Sequence, residues 1–192
     1  MRSKLSVCAT LLVFAGVVPT GLLAQSYAVD RGSVLIDGQA SFTSTGTGEE
    51  DEDRVTQLSI NPALQYFILP GLALGGEITI ARSWEDDYSA WTYGIGPAVT
   101  YYFGDGERPW YPYLGATAQF LRAGQEVDNV PEIPDVTVWA YKGAAGALFL
   151  ISRSVGVNAE LFYQVTRRES DSDFDFEQNV YGLAVGISAF VF

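Results

Sequence analysis

From Thr56 to Arg82, apolar and polar residues alternate with a period of two. Leu58, Ile60, Pro62, Leu64, Tyr66 and Ile68 share one parity, and Gln57, Ser59, Asn61, Ala63, Gln65 and Phe67 share the other. After Leu69-Pro70-Gly71, Leu72, Leu74, Ile78 and Ile80 alternate with Ala73, Gly75, Glu77, Thr79 and Ala81. Successive side chains of a strand point to opposite faces, so the stretch predicts a hairpin with one apolar face. The same pattern predicts strands over 33–43, 90–103, 111–122, 136–150 and 155–166, and from about Asn179 to the C-terminus. Eight strands result. The apolar parity carries residues such as Ile36, Ile95, Leu114, Tyr141 and Leu161.

The connections alternate in length. Those at 69–71, 104–109 and 151–154 are short, whereas 44–53, 83–89, 123–135 and 168–177 read as longer and acidic. The long ones hold five, three, four and five carboxylates, 17 of the 23 in the chain. Charge is thereby concentrated at one rim. Trp84, Tyr88, Trp91 and Trp139 fall near that rim, and Phe67, Tyr102, Phe103, Trp110 and Tyr111 fall near the short turns. Two girdles of amphipathic rings are expected, as at the two interfaces of a bilayer.

Composition sharpens the choice between an apolar face turned to a core and one turned to lipid. Hydrophobic residues make up 48% and mean hydropathy is +0.12. Yet beyond the N-terminus no run approaches the roughly 20 apolar residues of a membrane helix. Apolar residues dispersed in alternation fit a barrel with a lipid-facing wall. At the N-terminus, Arg2 and Lys4 precede the apolar run Leu5–Val18, and Leu22-Leu23-Ala24 ends in a small residue. This is the form of a secretory signal, expected over residues 1–24 with cleavage after Ala24. The domain is then 25–192, without the single cysteine and with a formal charge of −14 in place of −12. No basic stripe is present, so nucleic acid is excluded as a partner.

The signal-like segment, the eight strands, the turn Tyr66–Gly71, the Pro112-Tyr113-Leu114-Gly115 run and the terminal Phe192 together resemble the small outer-membrane β-barrel family. That family includes the transmembrane domain of OmpA and the OmpW-like and OmpX-like proteins. The resemblance implies an all-β, up-and-down, antiparallel eight-stranded barrel in the cell outer membrane, delivered by the barrel-insertion machinery. It implies acidic loops outside and either a structural or surface-interaction role or a narrow conduit for small or hydrophobic solutes. A lumen left open by Ala98, Gly115, Ala144 and Gly146 would favour the conduit. A secreted, lipocalin-like binder would instead turn the apolar parity inward. In strand eight, Leu183, Val185 and Ile187 lie on the opposite parity from Phe190 and Phe192. Either a bulge near Ser188 re-phases the strand or its last residues lie below the bilayer. Pro62 and Pro97 cannot donate to a ladder, so bulges or lost bonds are expected there.

Candidate chemistry is sparse. The chain has no histidine, which removes Ser-His-Asp and Cys-His catalysis and histidine-ligated metal. No catalytic residue and no cofactor are expected. Asp37, Glu77, Lys142 and Glu160 fall on the polar parity, inside a barrel just wide enough for side chains to fill it. A buried charge needs a partner. Lys142 is therefore expected to join Glu77 and Glu160 in an internal network, either a satisfied polar core or a gated ion path. Asp171, Asp173, Asp175 and Glu177, and the run 49–53, could offer oxygen to Ca²⁺, although Phe176 and Gly182 break the EF-hand pattern. Arg54, Arg82, Arg122, Arg167 and Arg168 sit near the acidic rim, placed to snorkel to headgroups or to meet lipopolysaccharide phosphates.

Overall fold

In a computed structural model, the chain forms one closed sheet of eight antiparallel strands in sequence order. The structure describes residues 28–45, 55–85, 88–104, 108–127, 136–168 and 176–192. The strands are β1 (Val34–Thr45), β2 (Val55–Leu69), β3 (Leu72–Glu85), β4 (Tyr88–Tyr102), β5 (Trp110–Val127), β6 (Val136–Leu150), β7 (Val155–Arg168) and β8 (Phe176–Val191). β1 closes on β8 from Val34↔Val191 to Ser41↔Ala184, which leaves no sheet edge.

The two parities separate as the alternation requires. Leu58, Ile78 and Leu161 are 41%, 44% and 66% exposed on the outer wall, whereas Glu77 and Glu160 are 7% and 5% exposed inside. This is the inverse of a lipocalin-like binder. An outer wall of Ile, Leu, Val and aromatic rings is stable only against hydrocarbon, so the barrel is of the transmembrane kind.

Several sequence expectations change in detail, and the lost pairing expected at the prolines is found. The 83–89 stretch is no long loop. β3 and β4 pair as far as Glu85↔Tyr88, so two residues connect them. The prolines break pairing without shifting register. Pro62 pairs with Gly38 and Pro97 with Gly76, while β2–β3 pairing lapses between Ile60↔Ile80 and Ala63↔Glu77, and β4–β5 pairing between Ile95↔Phe120 and Ala98↔Thr117. Each proline is thus satisfied on one flank and tolerated on the other. No bulge interrupts β8, whose pairings with β1 and β7 run on through Ser188. Phe190 points inward and is buried, and Phe192 lies beyond the last strand residue.

The girdle near the short turns is also divided. Trp110 and Phe103 face outward, but Phe67, Tyr102 and Tyr111 lie on the inward parity and close the mouth of the barrel. Phe67 stacks obliquely with Tyr102 at 5.6 Å and Phe190 at 6.4 Å. The segment before β1 completes this plug, with Ala28 and Val29 buried in it. Gly71 N donates to Val29 O at 2.8 Å, Gly32 N to Phe67 O at 2.9 Å and Phe67 N to Ser33 O at 3.0 Å. Gly71 makes this turn at φ 78°, where a side chain would be strained and its Cβ would meet the Tyr102 carbonyl at 2.5 Å.

Candidate functional site

Above the aromatic plug, among the described residues, the lumen is crossed by hydrogen-bonded side chains from β1, β2, β3, β5, β6, β7 and β8. Alternation puts them inside, and the stagger of the closed ladder puts residues distant in sequence at one level. Lys142 of β6 donates to both oxygens of Glu77 of β3, at 2.7 and 2.8 Å. Its ammonium is 3.7 Å from Glu160 Oε1 of β7. The structure thus brings Lys142, Glu77 and Glu160 into one cluster.

Neighbours fill the remaining positions. Gln119 Nε2 donates to Glu77 Oε1 at 3.0 Å. Glu160 Oε2 accepts from Tyr113 OH at 2.9 Å and Gln39 Nε2 at 3.0 Å. Glu160 Oε1 accepts no hydrogen bond and relies on the longer contact with Lys142. Asp37 joins indirectly. Its Oδ1 accepts from Ser188 Oγ and Asn158 Nδ2, both at 2.7 Å, and Gln39 links Asn158 to Glu160. On the other side, Thr79 Oγ1 is 3.0 Å from Gln119 Oε1 and 2.9 Å from Asn61 Oδ1, and its single proton serves one at a time.

Two carboxylates face one ammonium, and Asp37 reaches them only through the neutral side chains of Asn158 and Gln39. Among the described residues, no three of His, Cys, Asp and Glu are grouped to hold a metal ion. The acidic runs 49–53 and 171–175 lie outside the described residues, and Glu177 is placed only by its backbone pairing with Arg167. Gln39, Tyr113, Gln119, Asn158 and Ser188 were not singled out from the sequence. Their inward parity was available there, but the stagger that makes them neighbours was not.

The small residues Ala98, Gly115, Ala144 and Gly146 all turn inward, yet the space beside Gly146 is filled. A Cβ there would sit 2.5 Å from the Tyr113 ring. Beside Lys142 and Glu160 the lumen holds a cavity of about 70 Å³, lined in part by Gln57, Asn61, Thr79 and Gln164 and in part by Leu121, Phe162 and Val180.

The outer wall carries the second group. Arg82, Arg122 and Arg167 face outward and are exposed near the acidic rim. Cross-strand pairing sets Arg82 beside Trp91, Arg122 beside Tyr93 and Arg167 beside Trp139. Arg54 and the side chain of Arg168 lie outside the described residues.

No protein-family model and no curated protein sequence matches the chain. Solved structures do. The chain is similar to Neisserial surface protein A, with a TM-score of 0.58 and 16% identity over 82% of this chain and 96% of that one. It is also similar to the outer membrane protein OprG from Pseudomonas aeruginosa, with a TM-score of 0.55 and 11% identity over 84% and 97%. At such identities the shared property is the fold, that of small eight-stranded outer-membrane β-barrels.

Proposed function

We propose that this barrel resides in the outer membrane of a Gram-negative-type cell and works without catalysis, as a structural or surface-interaction protein. Residues 1–24 direct export, and the barrel-insertion machinery places it. Its acidic connections face outward, and its partners in the wall are outer-membrane lipids. The observation that carries this reading is the filled lumen. The short-turn mouth is plugged by Leu35, Phe67, Tyr102, Tyr111 and Phe190, and the Glu77–Lys142–Glu160 cluster spans the section above it. A solute conduit would need both layers to part. The two similar proteins, a Neisserial surface protein and an outer membrane protein, agree with the location.

Planar-bilayer recording of the purified, folded barrel tests the choice between the two roles. The expected outcome is a silent bilayer at moderate voltage. Steady single-channel steps that scale with salt concentration would replace the structural reading with the conduit.

A further inference from the structure

The outer wall is not uniformly convex. Between β2, β3 and β4 it holds a hollow of about 370 Å³, floored by Leu58, Ile60 and Ile80 and walled by Trp91, Tyr93 and Arg82. Its origin is local. Ser89 faces outward beside Trp84 and one step from Trp91, so a small side chain stands between two large ones. Trp91 leans on Tyr93 with ring centroids 5.0 Å apart, and Arg82 lines the hollow with them.

Charge selects the occupant. Among the described side chains, the charged groups on the outward parity of the strands are Arg82, Arg122 and Arg167, all cations near one rim. They stand on a chain whose formal charge is −12. A guanidinium binds phosphate through paired, charge-assisted hydrogen bonds, and such bonds strengthen where water is scarce.

We propose that this hollow is a site for one membrane lipid with an anionic phosphate headgroup. The phosphate rests on Arg82, and an acyl chain lies along Leu58, Ile60 and Ile80. Trp91 and Tyr93 form the side wall at headgroup depth. The inference rests on the membrane location proposed above, and it turns a general affinity for lipid into a discrete site.

The test uses the full barrel folded into phosphatidylcholine bilayers doped with either bisphosphorylated or dephosphorylated lipid A. The barrel is then extracted in mild detergent, and retained lipid A is counted by native mass spectrometry. The wild-type barrel should keep one bisphosphorylated molecule, with about a tenfold preference over the dephosphorylated form. Arg82→Ala should abolish the preference, and Arg82→Lys should restore part of it. Ile80→Trp fills the hollow and should lower retention of both forms, with Ile60→Phe in its place if that variant does not fold. Arg153→Ala, on the β6–β7 turn, should change nothing. Heat-shifted gel migration reports folding in each case. Equal retention of the two lipids by the wild type overturns the site, as does an undiminished preference in Arg82→Ala. A barrel that never enters the bilayer overturns the membrane reading as well, so the two failures are told apart.

Discussion

Lys142 stands between two carboxylates in a place where none of the three would be tolerated alone. Its two bonds to Glu77 are short, and its reach to Glu160 is longer. Removing one partner of a buried ion pair leaves an uncompensated charge, at a cost of about 3–5 kcal/mol. Lys142→Met should therefore destabilise the barrel by that amount in urea unfolding from lipid vesicles. The double variant Lys142→Met, Glu77→Gln should cost less than the sum of the single changes, because the second substitution removes the orphaned charge. Strict additivity would mean that Lys142 and Glu77 are not coupled in the folded barrel. The sequence brought these two residues and Glu160 to one face, since parity is a local property. It did not bring in Gln39, Asn158 or Ser188, because the level at which each strand meets its neighbour is a property of the closed ring.

At the scale of the strand, one tight point is the β4–β5 seam beside Pro97. Pairing lapses there, yet the register is unchanged on either side. The two backbones stay so close that a Cβ on Gly96 would fall onto the Ala118 carbonyl oxygen and within 2.7 Å of Gln119 Cα. Only a residue without a side chain permits this approach. Gly96→Ala should cost about 1–3 kcal/mol, the usual range for overpacking, seen as a lower midpoint in the same unfolding assay. A midpoint equal to that of the wild type would show that the seam can widen freely. The strands themselves were legible wherever apolar contrast exists, as in β6, whose limits match those read from the alternation. Contrast fails beyond the hydrocarbon. Ala123-Gly124-Gln125-Glu126-Val127 reads as loop, yet it continues β5, because hydrogen bonding to β4 sustains it without an apolar face. The inward turn of Phe190 was hidden for a related reason. An aromatic on the polar parity looks like a phase error until the plug that receives it is known.

For the molecule as a whole, the decisive property is the inversion of wall and lumen. Ile78 sits mid-wall opposite Ile95, 44% exposed. On a soluble protein, an arginine at so exposed a position would be nearly neutral. On the lipid face of a barrel near mid-depth it should cost about 2–4 kcal/mol. Ile78→Arg should accordingly reduce stability in bilayers by that amount, whereas a change below about 0.5 kcal/mol would mean that Ile78 meets water.

The closure of β1 on β8 also fixes where attachments can go. An even number of strands returns the chain to its starting side, and the tether from Gly71 to Val29 and that from Phe190 to Ser154 hold the entry to β1 and the end of β8 beside the short turns. A passenger spliced just before Ala28 or after Phe192 would start on that side. Epitopes meant for the opposite side must instead be grafted into a connection there, and the stretches at 46–54, 128–135 and 169–175 leave more room than the two residues between β3 and β4.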